Sequence, residues 1–217
     1  TVENLEKKAN GEDIEYYWQE VNVPDGYSVS APTINGTVTT LTNTYAPETT
    51  SISVRKVWDD KDNQDGIRPN KVSVQLYAGN EAKGDPVELN ESNKWSHTWE
   101  NLDKKAGGQE IQYRVDEVEV PDGYSLTVTN EGTAYTVTNT HTPEKTTATI
   151  RKVWSDKDDQ DGKRPESLEV ALKKGNQTET TVTLNAENNW SATVENLEKK
   201  ANGEDIEYYW QEVNVPD

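Results

Sequence analysis

The sequence predicts an all-β protein built of tandem immunoglobulin-like β-sandwich modules. Three observations carry that reading: short runs of alternating apolar and polar residues set apart by turn signals, no segment with a sustained helical period, and self-similarity at a fixed interval. Thr1–Asp25 recurs letter for letter as Thr193–Asp217, an offset of 192 residues. At half that offset lie related, non-identical units. KVWDDKDNQDGIRP from Lys56 reappears as KVWSDKDDQDGKRP from Lys152, and EVNVPDGY from Glu20 reappears as EVEVPDGY from Glu117. The repeat unit is therefore about 96 residues.

Residues 1–47 are expected to carry the later strands of one module, 48–143 a complete module, and 144–217 the earlier strands of another. The joints TYAPETTSIS and THTPEKTTAT each hold a proline among several Thr or Ser, which suits short, fairly stiff connectors. Two readings account for the cut ends. In one, the chain is a window on a longer tandem array; in the other, partial modules of neighbouring molecules complete each other by strand exchange. The duplicated 25 residues argue against exchange, because two copies would compete for one place.

Seven strands are expected in the complete module. Ser51–Trp58 comes first, with Ile52, Val54, Lys56 and Trp58 on one parity and Arg55 on the other. Lys71–Ala78, Pro86–Asn90 and Lys94–Glu100 follow as short alternating runs, the last with Trp95, His97 and Trp99 on one face. Gln109–Val118 places Ile111, Tyr113, Val115 and Glu117 on one parity. Tyr124–Thr129 and Ala134–His141 complete the set, and the last aligns Tyr135, Val137 and Asn139. Gln64-Asp65-Gly66, Ala78-Gly79-Asn80, Gly107-Gly108 and Pro121-Asp122-Gly123 supply turns.

Composition narrows the function. The 217 residues carry a net charge of −18 with a pI near 4.5, which argues against nucleic acid and anionic membrane as partners. The apolar runs are strand-sized, too short to span a bilayer. Hydrophobic content is low at 31%, but seven Trp and ten Tyr give large buried area per residue, so the chain is expected to fold. There is no cysteine, so disulfides cannot staple these small domains.

Three polar residues stand out because they sit on apolar parities: Lys56 on the first strand, Glu117 on the fifth and Asn139 on the last. An isolated buried charge costs several kcal/mol, so these groups should meet one another or neutralise. If the first and last strands are neighbours, amine, carboxyl and carboxamide converge in a dry pocket. Burial lowers a lysine pKa and raises a glutamic acid pKa, so the pair can exist as neutral amine and neutral acid. A neutral Lys56 amine is a nucleophile toward the Asn139 side-chain carbonyl, with Glu117 placed to bind the carbonyl oxygen and relay a proton. Ammonia would leave and an isopeptide bond remain, in one turnover and without enzyme catalysis or a cofactor.

The strand and turn Tyr113-x-Val115-x-Glu117-x-x-x-Pro121-x-Gly123-Tyr124, with its copy from Tyr16 to Tyr27, resembles the glutamate box of collagen-adhesin B-type (CnaB) domains of Gram-positive surface proteins and pilins. Lys56-Val57-Trp58 and Val137-Thr138-Asn139-Thr140 are also similar to that family, and the resemblance spans the whole chain. It implies an inverse immunoglobulin-like fold, a Lys56–Asn139 isopeptide bond assisted by Glu117, and a mechanically stable, cell-wall-attached extracellular stalk. Carried over by position, Lys152 and Glu212 await an Asn beyond the chain, while Glu20 and Asn43 lack a Lys before residue 1. Pilins of the family that are polymerised by sortase carry a linking lysine in a motif resembling YPK, which does not occur here. That favours repeats within one long surface adhesin, whose partners would be neighbouring modules and, at a distant domain, a host ligand. The alternative is that the modules themselves bind host matrix protein or glycan.

The acidic loop Asp59–Gly66 invites a calcium reading, but its glycine comes one residue late for an EF-hand and no glutamate stands at the twelfth position. The copy at Asp156–Gly162 fails likewise, and both are expected to be solvated turns held by Asx-type hydrogen bonds. His97 and His141 are too sparse for zinc, so no metal is expected. The Trp95, His97, Trp99 stripe reads as core.

Overall fold

A computed structural model describes residues 1–213; residues 214–217, the last of the third expected module, lie outside the described residues. The chain divides into two compact units, Thr1–Thr50 with Asn101–Ile111, and Ser51–Glu100 with Gln112–Asp217. The chain is nearly all β, as its alternation predicts, and no helix is long and apolar enough to cross a membrane among the described residues.

Seven strands build the central sandwich: β1 (Thr49–Asp59), β2 (Lys71–Ala78), β3 (Val87–Asn90), β4 (Ser96–Asp103), β5 (Tyr113–Glu117), β6 (Ser125–Glu131) and β7 (Ala134–Thr140). One sheet has the order β3-β2-β5, and the other β4-β1-β7-β6. The first and last strands lie side by side and parallel, with Lys56 opposite Val137 and Trp58 opposite Asn139. Burial follows the period of two along β1, where Ile52, Val54 and Lys56 are buried while Arg55 is exposed. Val72, Val74, Leu76, Leu89 and Val115 bury the face of the other sheet.

Two expected strands are corrected. Gln109–Val118 is interrupted: Gln109–Glu110 pairs with Lys105–Ala106 as a tight hairpin, and β5 begins only at Tyr113. Gly107 and Gly108, at φ 56° and 82°, make a turn that non-glycine residues rarely enter. Lys94 and Trp95 are not in a strand, because they stand at φ 54° and 56° after a 3₁₀ turn, Glu91–Asn93. The Asn90 side chain caps that turn by accepting from the N–H groups of Ser92 and Asn93.

The following segment repeats part of this plan. Strand β8 (Lys145–Arg151) pairs with β11 (Ser191–Glu198), and β9 (Ser167–Lys174) lies between β10 (Gln177–Asn185) and β12 (Tyr208–Glu212). Its core is Leu168, Val170 and Leu184, with Ile150, Trp154, Trp190 and Trp210 packed on it.

In the other unit, Tyr27–Val29 pairs with Asn43–Tyr45 and Thr33–Asn35 with Val38–Thr40. Trp18, whose copy Trp210 packs on a core, is 53% exposed there. Identical sequence thus meets different surroundings, and burial follows the surroundings.

Candidate functional site

Lys56, Glu117 and Asn139 come together between the two sheets of the central sandwich. Strand β1 turns Lys56 inward, its parallel neighbour β7 turns Asn139 inward, and β5 brings Glu117 from the opposite sheet. All three are buried, at 4%, 7% and 0% exposure. Lys56 Nζ donates to the Val57 carbonyl at 3.1 Å and lies 4.0 Å from Glu117 Oε1. Asn139 Nδ2 donates to the same Glu117 oxygen at 3.2 Å. The amine stands 3.9 Å from the centroid of the Trp58 ring, which closes one side.

Burial disfavours the charge on both ionisable groups. Burial pushes the Lys56 ammonium down to about 8, while Glu117 and Asp60 pull the other way. Burial likewise raises Glu117 above the usual carboxylate range, against the attraction of Lys56 and the hydrogen bond from Asn139. Glu117 Oε2 and Asn139 Oδ1 are both buried with no hydrogen-bond partner. An unpartnered buried acceptor is costly, and more so when it carries charge, which favours a proton on Glu117. Burial thus weakens the hold of each group on its charge, beside a carboxamide.

A second network supports this pocket. Asp60, 1% exposed, accepts from Arg68 Nε at 2.9 Å and Nη2 at 2.5 Å, from Tyr124 Oη at 2.8 Å and from the Asn63 N–H at 2.9 Å. Burial opposes its charge, but these donors hold Asp60 down to about 2. Tyr124 and Trp95 both meet the Trp58 ring edge to face, with centroids 5.0 Å and 5.5 Å away. Strand parity gives Asp60, Arg68 and Tyr124 no role in the pocket, although Asp60 lies in the acidic loop and Tyr124 closes the strand-and-turn motif. The signal was available, because Asp156 and Arg164 repeat the Asp60 and Arg68 pair at the same spacing and form the same bidentate contact.

The acidic loop is therefore only partly the solvated turn expected. Asp59, Lys61 and Asp62 are exposed, but Asp60 and Asp65 are buried because Arg68, Tyr124 and His141 neutralise or bond them. In the aromatic stripe, Trp95 packs on Trp58 from a turn, while His97 and Trp99 are half-buried and meet edge to face at 4.8 Å.

The partial sites close in a different way. Lys152 Nζ lies 2.5 Å from Glu212 Oε1, and Asn43 Nδ2 donates to Glu20 Oε1 at 2.9 Å. Each glutamate bonds whichever partner its own segment provides. In the central sandwich, where lysine and asparagine are both present, the glutamate stands between them.

Comparison with known proteins agrees with this architecture. The model of the Cna protein B-type domain matches residues 52–140 and 148–217. A collagen adhesin of Staphylococcus aureus is 44% identical over 215 residues, which is 99% of this chain but 18% of that protein. A crystal structure of two B repeat units of the collagen binding protein of Staphylococcus aureus superposes with a TM-score of 0.74 at 43% identity, covering 97% of this chain and 55% of that one. A single B repeat unit of the same protein is 40% identical, with a TM-score of 0.38 over 77% of this chain and 87% of its own. The chain thus spans under a fifth of the adhesin and about half of the two-repeat structure.

Proposed function

Because the chain belongs to the Cna protein B-type domain family, we propose that it is a stretch of stalk from an extracellular, cell-wall-attached adhesin, stapled by an isopeptide bond between Lys56 and Asn139. The observation that carries this reading is the burial of Lys56, Glu117 and Asn139 together between parallel first and last strands. On this reading 48–143 is one complete module, with parts of others in 1–47 and 144–217. A collagen- or other matrix-binding domain would lie elsewhere in the whole protein, and these repeats would hold it away from the cell.

The reaction follows from the groups present. The neutral Lys56 amine adds to Asn139 Cγ, and the carbonyl oxygen takes the negative charge. Glu117, as neutral acid, donates a hydrogen bond to that oxygen and then moves a proton from Nζ to the departing nitrogen. The Cγ–Nδ2 bond breaks, the Cγ–Nζ amide remains, and ammonia carries away the nitrogen. Amides are poor electrophiles, so the fixed geometry of the fold must supply the rate, at effective molarities that can reach roughly 10⁵ M or more. Each module reacts once.

Intact mass tests the proposal. The chain should weigh one ammonia less than its sequence, and a digest should yield one branched peptide joining the Lys56 and Asn139 fragments. Lys56→Ala, Asn139→Ala and Glu117→Ala should each restore the full mass. Full mass in the unmodified, folded chain would overturn the cross-link and leave a non-covalent spacer.

A further inference from the structure

The loop that follows β1 does something the cross-link does not require. Lys61, Asp62 and Asn63 stand in succession at φ 51°, 58° and 60°, and this turn carries Asp65 out to the connector that leads into the next segment. There Asp65 Oδ2 meets His141 Nε2 at 2.8 Å and accepts from the Glu144 N–H at 2.9 Å. One residue earlier, the Gln64 carbonyl accepts from the Gly203 N–H at 3.0 Å, at the tip of the Lys200–Ala201 and Glu204–Asp205 hairpin. A Cβ on Gly66 would fall 2.4 Å from Gly203 Cα, so the two backbones touch as only glycine permits. At the rim, Glu198 takes Lys61 at 3.3 Å and Lys145 at 2.6 Å, and it also meets Gln64 Nε2. Asp65 is buried at the centre of this contact, the two glycines meet beside it, and charged pairs stand at its edge, the pattern of a specific interface.

Every part recurs. The later loop has Lys157, Asp158 and Asp159 at φ 50°, 62° and 62°, and its Asp161 and Gly162 are exposed with nothing within 4 Å of a Cβ on Gly162. The receiving hairpin recurs as Lys105–Ala106 with Gln109–Glu110, whose Gly108 has the same φ of 82° as Gly203. The connector foot recurs too: Lys104 bonds Glu48 at 3.1 Å, as Lys199 bonds Glu144 at 2.6 Å. Between the two connectors, Tyr45 and Thr49 stand where the titratable His141 and Lys145 stand.

We propose that this loop is a docking element that locks each module onto the hairpin and connector of its successor, and that the Asp156–Gly162 loop, through its exposed Asp161 and Gly162, is the same surface for a successor of the central type. The array then alternates between two joints, one closed by a histidine and the other by a tyrosine. The proposal does not depend on the isopeptide bond.

NMR relaxation of the full chain tests it. Residues 52–140 and 148–213 should share one tumbling time, and Asp65→Ala or Gly66→Ala should give them two shorter ones while their core shifts stay unchanged. Asp161→Ala should change nothing in this chain. In a chain lengthened by residues 26–143 placed after Asp217, Asp161→Ala should release the added module. Separate tumbling in the unmodified chain, or shared tumbling in both variants, would overturn the lock. No effect of Asp161→Ala in the lengthened chain would overturn the recurring surface.

Discussion

Lys56 is a core residue that happens to be an amine, and its strand parity marks it as inward before any resemblance is considered. A period of two placed Lys56, Glu117 and Asn139 inward, and the structure brings all three inside. What parity could not provide was the supporting network. Asp60 and Arg68 lie in a stretch that reads as polar loop, and only their recurrence as Asp156 and Arg164 hints that the pair is structural. Arg68→Ala would leave Asp60 buried with one strong donor fewer, so the unlinked fold should lose about 3 kcal/mol or more by denaturant melting. The pH dependence of bond formation follows from the coupled pair. The reactive form holds one proton between Lys56 and Glu117. It is lost at low pH, where both groups are protonated, and again as pH rises above about 8, where the last proton leaves. Unlinked chain released from denaturant into a series of buffers should therefore show a bell-shaped rate of ammonia loss, and a rate that climbs steadily to pH 11 would contradict it.

At the scale of elements, the strands and their glycine turns were legible, and the non-glycine turn at Lys94 and Trp95 was not. All seven runs of alternation correspond to strands, because alternation reports burial on one face. The departures fall at Ile111 and Gln112, where the chain leaves the hairpin strand Gln109–Glu110 before β5 begins, and at Lys94 and Trp95, which turn the chain before β4. The long-range contacts of the acidic loop were hidden for another reason, since its partners lie 76 to 139 residues away. Its buried pair makes a prediction. Asp65 raises His141, with the Gly123 carbonyl and the charge of Asp60 acting the same way, while burial acts against it. On the other side, His141, the Glu144 N–H and Lys200 lower Asp65 against its burial. The histidine's contribution is complete below its unfolded value near 6.5 and disappears as pH rises through its higher folded value. The aspartate's contribution disappears as pH falls through its lowered value. His141 should titrate above 6.5 by NMR, and Asp65→Asn should bring it back.

For the whole module, the staple matters more than its entropy suggests. Joining Lys56 to Asn139 closes a loop of about 84 residues, worth on the order of 4.5 kcal/mol by the chain-entropy estimate used for disulfides. For a domain of this size that is roughly 20 °C or more in melting temperature, so Lys56→Arg should melt lower by about that much in calorimetry. Under load the difference is larger, since strands held by an amide cannot slide apart while hydrogen-bonded ones can. Pulled by its two ends in an atomic force microscope, the wild-type module should show no unfolding step, and Glu117→Ala should restore one. The parallel pairing of β1 and β7 has one more consequence. The polypeptide enters beside the start of one strand and departs beside the finish of its neighbour, so every module advances the chain by about one strand length, roughly 35 Å for eleven residues. Reach would then come in whole increments, and gain or loss of a repeat in a gene would reset the height of whatever the array displays without altering any surface.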